Sequence, residues 1–150
     1  MKKLFLLLVM FAVLIACNKH EVEDLNTHYD LKEGVLEKDL MAGQHIYVGT
    51  VTYVDTEDGF FKVTYDLVDG WTMSESHVYA GTLGDMPRNT PGAPKIGKFP
   101  YKTDHDPEVT TYTYTVPVAN FDDFVCAAHA VVNHPTLPSE TAWAVGNQTF

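Results

Sequence analysis

Apolar and polar residues alternate in short runs along most of this chain, the pattern of β-strands that bury one face. From Val35 onward no segment shows the three-to-four-residue apolar spacing of an amphipathic helix. Asp58-Gly59 and Asp69-Gly70 separate three of the runs, and Asp-Gly is favoured in the type I′ turns of β-hairpins. The pattern therefore predicts a meander of three antiparallel strands at residues 45–54, 60–68 and 70–81.

Further strands are predicted on both sides of this meander. A short strand is expected near Val35 to Leu40, and others at residues 109–118, 124–132 and 141–145. The run at 124–132 is apolar on both faces, as in a central strand. The predicted fold is an all-β, antiparallel β-sandwich of about seven strands with immunoglobulin-like proportions, formed by a single domain at residues 39–150.

Strand alternation also predicts which side chains share a face. In the run 45–54, the even-numbered residues are expected on one face. Both tryptophans of the chain, Trp71 and Trp143, are expected in the core. In the run from Gly70 to Gly81, one face is predicted to carry Trp71, Met73, Glu75, His77 and Tyr79.

The segment 81–108 breaks the alternation. It carries five prolines, which remove donors from a strand ladder, so it is predicted to be one long Pro/Gly-rich loop. A loop of this length in a compact domain is either functional or disordered. The alternative to a binding role is that its basic side chains only solvate an exposed loop. The candidate ligand-binding residues in it are Tyr101, Arg88, Lys95, Lys98 and Lys102.

The N-terminus has the organisation of an export signal. Lys2 and Lys3 precede an uninterrupted apolar run from Leu4 to Ala16, which is too short to span a bilayer. The run ends in Leu-Ile-Ala-Cys, which resembles the bacterial lipobox. That resemblance implies a lipoprotein signal peptide at residues 1–16 and lipid attached to Cys17. The alternative is an ordinary secretory signal in which Cys17 is incidental.

Charge and composition indicate how the rest of the chain is held at a membrane. Without residues 1–16, eight basic and twenty acidic side chains remain, a formal charge of −12. Such a surface repels nucleic acid and anionic headgroups, so attachment is expected through the N-terminal lipid alone. Residues 17–38 are charged and weakly apolar, as in a flexible tether. We expect a lipid-anchored protein of the bacterial cell envelope, at the outer membrane and exposed on the surface.

Four polar residues of the predicted strands are candidates for chemistry: Glu75, His77, His129 and Glu140. Carboxylates and imidazoles together hold metal ions or perform acid–base catalysis. The alternative is a buried polar network in which these groups satisfy one another. No HExxH or Cys-x-x-Cys spacing is present, so no cofactor or catalytic residue is assigned. Cys126 lies in an apolar run and is expected to pack in the core.

Several short motifs occur in a shared order along the chain: AGQHIYVGTV at Ala42, GW at Gly70, ESHVYAG at Glu75, FPY at Phe99, YTYTVP at Tyr112, CAAHAVV at Cys126 and ETAWAVG at Glu140. Together they resemble an uncharacterised β domain of secreted and cell-surface bacterial proteins. The resemblance implies the β fold and the extracellular setting, and it implies no activity.

Three functions fit these observations. The first is a non-catalytic binding or adhesion module with a glycan or protein ligand, displayed on the surface by its lipid. The second is a small metal-assisted hydrolase that uses Glu75, His77, His129 and Glu140. The third is a structural or assembly subunit of the cell envelope.

Overall fold

The computed structural model describes residues 35–56, 58–90, 92–118 and 124–146. The predicted signal peptide, Cys17 and most of the predicted tether lie outside the described residues. The first strand begins at Val35, inside the segment predicted as tether. A 3-10 turn at Ile96–Lys98 accompanies the strands, which are β1 (Val35–Ala42), β2 (Ile46–Asp55), β3 (Phe60–Leu67), β4 (Thr72–Thr82), β5 (Tyr101–Val109), β6 (Thr111–Pro117), β7 (Phe124–His134) and β8 (Leu137–Ala144).

All eight strands belong to one sheet, in the order β5-β4-β7-β8-β1-β2-β3-β6. Every neighbouring pair is antiparallel, which confirms the prediction of an all-β, antiparallel fold. The pairing of β2 with β3, the first two strands of the predicted meander, is also confirmed. The sheet is nearly closed and barrel-like, so the expected division into two packed sheets is not observed. The meander also stops after β3, because β4 pairs with β5 and β7 instead.

Side-chain hydrogen bonds cross the nearly closed sheet, in addition to the backbone ladder that joins β8 to β1. The Ser76 hydroxyl on β4 lies 2.8 Å from the Tyr114 hydroxyl on β6 and 2.8 Å from Nε2 of His105 on β5. The Tyr65 hydroxyl on β3 lies 2.9 Å from the carbonyl oxygen of His77 and 3.1 Å from that of His129. The hydrogen bonds of Tyr65 and Tyr114 thus link strands that are not neighbours in the sheet.

The apolar interior is formed by one face of each strand. Its fully buried side chains are mostly aliphatic, with one tyrosine and one phenylalanine among the largest. Trp71 is buried there, as predicted, and Cys126 packs against the same core. Side chains alternate between the two faces of a strand only where its pairing is regular. Which residues reach the core therefore depends on where the bulges lie. The largest fully buried apolar and aromatic side chains are Tyr65, Phe61, Leu40, Met73, Val48, Val51, Val63, Val78, Val116 and Val132.

A bulge at Ser74 changes the face assignment in β4. Met73 pairs with Val132 and Glu75 with Val131, so Ser74 is an extra residue without a partner on β7. Met73 is therefore inside the sheet, whereas Glu75 and the residues that alternate with it lie outside. The prediction of one shared face from Trp71 to Tyr79 is wrong for this reason. A second bulge, at Val48 in β2, places Val48, Val51 and Tyr53 inside, so the even-numbered residues of that strand do not share a face.

The loop after β4 is shorter than predicted. Strand β4 continues to Thr82 and β5 begins at Tyr101, so the irregular segment spans residues 83–100 rather than 81–108. Pro107 lies in β5, and proline is tolerated there because β5 is an edge strand. The loop folds back onto the outer face of the sheet, where Met86 and Phe99 are buried against Tyr79 and Ala127.

Candidate functional site

One line of cross-strand partners runs over the outer face of the sheet. Met41 pairs with Tyr47 on one side and with Trp143 on the other. Trp143 pairs with His129, His129 with His77, and His77 with Lys102. Directly paired residues project to the same face, so these side chains form one row across six strands. We call this the outer row: Tyr47, Met41, Trp143, His129, His77 and Lys102.

The middle of the outer row is a buried pair of histidines. His129 is 3% exposed and His77 is 8% exposed. Their Nδ1 atoms are 3.4 Å apart, and their ring centroids are 5.4 Å apart at a tilt of 57°. The Trp143 ring packs edge-on against His129 at 4.9 Å, and Phe99 of the loop packs against Trp143 at 6.4 Å. Within the part of the chain that the structure describes, His129 Nε2 has no hydrogen-bond partner.

Burial keeps both imidazoles neutral at neutral pH. Removal from water and, to a smaller extent, the neighbouring His77 lower the pKa of His129 to about 4. Burial also lowers the pKa of His77, against the opposing effect of the nearby Glu75 carboxylate. The pair therefore presents nitrogen lone pairs rather than positive charge at pH 7.

The two glutamates of the predicted cluster lie in different places. Glu75 Oε2 is 3.9 Å from His77 Nε2 at the exposed rim of the pair. Glu140 pairs with Val132 and alternates with the buried Ala142, so it projects to the inner side of the sheet, where its carboxylate lies against Gly43. The structure thus brings together three of the four residues that the sequence predicts as a cluster. Among the described residues, no three His, Cys, Asp or Glu side chains are grouped so as to hold a metal ion.

A groove of about 370 Å³ opens beside the tryptophan end of the outer row. Val145, which lines the groove, is 49% exposed, and Tyr47, the cross-strand partner of the lining residue Met41, is 45% exposed. The sequence gives no sign of this groove, because it forms between segments about a hundred positions apart. Trp143, expected in the core, instead lies half-buried in the groove. The lining residues are Met41, Gly43, Gln44, Thr141, Trp143, Ala144 and Val145.

The basic candidates divide between the loop and a strand. Arg88, Lys95 and Lys98 are exposed on the loop, whereas Lys102 is exposed on β5 at the end of the outer row. Tyr101 is partly buried against the core, with its ring 6.4 Å from that of Tyr114. Tyr101 is therefore not a surface residue of a long loop, because the segment that carries it is a strand with its odd-numbered side chains turned inward.

Two other reactive groups are enclosed. The Ser76–His105 contact has the 2.8 Å spacing of a nucleophile and its base, but Ser76 is fully buried and also bonds the Tyr114 hydroxyl. A substrate cannot reach it without opening the sheet, so the contact is structural. Burial raises the pKa of the Cys126 thiol well above its usual range, which leaves it a packing residue.

A scan against protein-family models, a search of curated proteins and a search of solved structures each return no match to this chain. The likeness to an uncharacterised β domain therefore stays a prediction. The described residues contain no helix with the length and apolar character needed to cross a bilayer.

Proposed function

We propose that this chain is a non-catalytic binding module, held at the bacterial envelope by lipid on Cys17, and that the groove beside Trp143 receives its ligand. The observation that carries the proposal is the combination of an aromatic ring, an amide and a hydroxyl around one open groove on a rigid sheet. Trp143, Gln44 and Thr141 supply these groups.

The chemistry of the groove favours a neutral glycan. Aromatic rings stack on the apolar faces of sugars, while amide and hydroxyl groups exchange hydrogen bonds with sugar hydroxyls. The strongly acidic chain disfavours a polyanionic ligand, because charge of one sign repels such partners at long range. The exposed Tyr47, the cross-strand partner of the lining residue Met41, adds a second aromatic ring next to the groove.

Binding of neutral oligosaccharides by the purified full-length chain in detergent is expected on a glycan array. Thr141→Val should weaken that binding about tenfold, because one good hydrogen bond contributes about 1–1.5 kcal/mol. The substitution keeps the side-chain shape and suits a strand. Phe60→Ala is the matched control, since Phe60 is an exposed aromatic on β3 that does not line the groove. Silence across chemically diverse glycans, or equal binding by Thr141→Val, would contradict the proposal.

A separate prediction concerns the anchor. Cys17→Ser removes the thiol to which lipid is attached, and a single remaining signal segment of thirteen apolar residues does not anchor stably. We expect the variant to be released from the membrane fraction or to remain unprocessed on a denaturing gel. A variant that fractionates and migrates like the unaltered chain would show that Cys17 is not lipidated.

A further inference from the structure

The two Nδ1 atoms of the buried histidine pair face each other at 3.4 Å, the long end of the hydrogen-bond range. An ion held tetrahedrally by two imidazole nitrogens at about 2.0–2.1 Å from each imposes a nitrogen–nitrogen separation of about 3.3–3.4 Å. The pair thus stands at the separation that a shared ion requires.

We propose that Nδ1 of His77 and Nδ1 of His129 together bind one divalent first-row transition-metal ion, zinc or copper, on the outer face of the sheet. Imidazole nitrogen is a favoured ligand of both ions. The two residues are direct cross-strand partners on β4 and β7, so the ladder fixes the distance between them independently of any loop. This inference does not depend on the groove or on a glycan ligand.

The carboxylate behind the His77 ring fits this role, whereas Nε2 of His129 has no hydrogen-bond partner among the described residues. When Nδ1 of an imidazole binds a metal, its proton is carried by Nε2, and metal-binding histidines usually direct that N–H toward a carboxylate, a carbonyl or water. Glu75 Oε2 lies 3.9 Å from Nε2 of His77, on the side of the ring away from His129.

The site offers two protein ligands and leaves the other positions to water or to an added small ligand. The part of the chain that the structure describes provides no third His, Cys, Asp or Glu within the group. The flanking members of the outer row are Trp143 and Lys102, which do not ligate metals at neutral pH. The ion is therefore expected to exchange and to bind with a dissociation constant in the micromolar range. The bound ion would hold β4 to β7 beneath the loop at 83–100.

Copper titration of the full-length chain tests the proposal most directly. The chain is purified in detergent, treated with a chelator, and titrated with Cu²⁺ at pH 7 while the electron paramagnetic resonance spectrum is recorded. We expect one saturable equivalent whose hyperfine pattern reports two imidazole nitrogens. His77→Phe should weaken binding at least a hundredfold, whereas His45→Ala, which removes an exposed histidine of the β1–β2 turn, should leave it unchanged.

A measurement on the unaltered chain avoids dependence on the variants. In long-range ¹H–¹⁵N spectra, Zn²⁺ should shift the Nδ1 resonances of two histidines while their Nε2 atoms keep hydrogen. Metal shifts confined to other histidines, a spectrum with a single imidazole ligand, or equal binding by His77→Phe would each overturn the proposal. Failure of glycan binding would not bear on it, since neither measurement involves the groove.

Discussion

Replacing Gly49 by alanine is expected to destabilise this protein more than the same change at any other glycine of its described residues. Gly49 lies in β2 directly after the bulge at Val48, with a φ of 149°, a conformation that side chains rarely adopt. A Cβ built at Gly49 would stand 2.1 Å from the carbonyl oxygen of Asp66 and 2.8 Å from the Cα of Leu67. Both atoms belong to the backbone of β3, so the collision cannot be relieved by turning a side chain.

Relief of that collision requires β2 and β3 to separate where Gly49 pairs with Leu67. The overlap and the unfavourable φ together are expected to cost about 3–5 kcal/mol, a large part of the stability of a domain this size. The free energy of unfolding, measured by urea denaturation with circular dichroism, provides the test. In the extreme case the variant will not fold.

Two other glycines separate the contribution of the unusual φ from that of the steric collision. Gly59 has a φ of 86° in an exposed turn and no atom within 4 Å of a built Cβ, so Gly59→Ala reports conformational strain alone, about 1 kcal/mol. Gly84 has neither the unusual φ nor a nearby atom, and Gly84→Ala should be neutral. If Gly49→Ala proved no worse than Gly59→Ala, the close approach of β2 and β3 would be refuted.

The contrast between these glycines illustrates what the sequence could predict. Asp58-Gly59 predicts the turn between β2 and β3 because the signal is local and the turn chemistry is specific. Gly49 gave no signal, since its requirement comes from β3, which is a partner in space. The same limit applies to Ser74 and Val48: a bulge is defined by the partner strand, and alternation counted along one strand runs straight through it.

The course of β5 was missed for a related reason. Five prolines between residues 81 and 108 favoured a loop, and that expectation holds for Pro87, Pro94 and Pro100. Pro107 instead lies on an edge strand, where the missing N–H costs no ladder bond. Only the strand order shows that β5 is at the edge, so composition alone could not distinguish the two cases.

The candidate site was partly predictable. The apolar run around His129 indicated its burial, and the two-residue spacing placed Glu75 and His77 on one face, as the structure has them. The meeting of His77 with His129 depends on the pairing of β4 with β7, strands separated by about fifty positions. Glu140 was grouped with them by residue type, yet the alternation of β8 turns it to the other side of the sheet.

His129→Ala is expected to cost about 2–4 kcal/mol in the metal-free protein, because it removes a buried ring that packs against Trp143 and His77. The cavity left behind is flanked by strands that cannot collapse without breaking their ladders. The melting temperature, recorded in the presence of a chelator at pH 7, measures the loss. His129→Leu is the matched variant, since it refills much of the cavity without a polar atom, and its loss should be smaller.

Lowering the pH separates the effect of protonating the His129 imidazole from the effect of the volume that it fills. The pKa of His129 is about 4 in the folded chain and near 6.5 in the unfolded one, so below pH 6.5 the unfolded state binds more protons. The stability contributed by the neutral ring is therefore complete above pH 6.5 and is lost progressively as the pH falls toward 4, by about 3 kcal/mol in all. His129→Leu should lose less stability than the unaltered chain over this interval, and His45→Ala should follow the unaltered chain. If the stability of the unaltered chain and that of His129→Leu depended on pH in the same way, His129 would not be held neutral by burial. An unchanged melting temperature in His129→Ala would show that the buried ring does not support the fold.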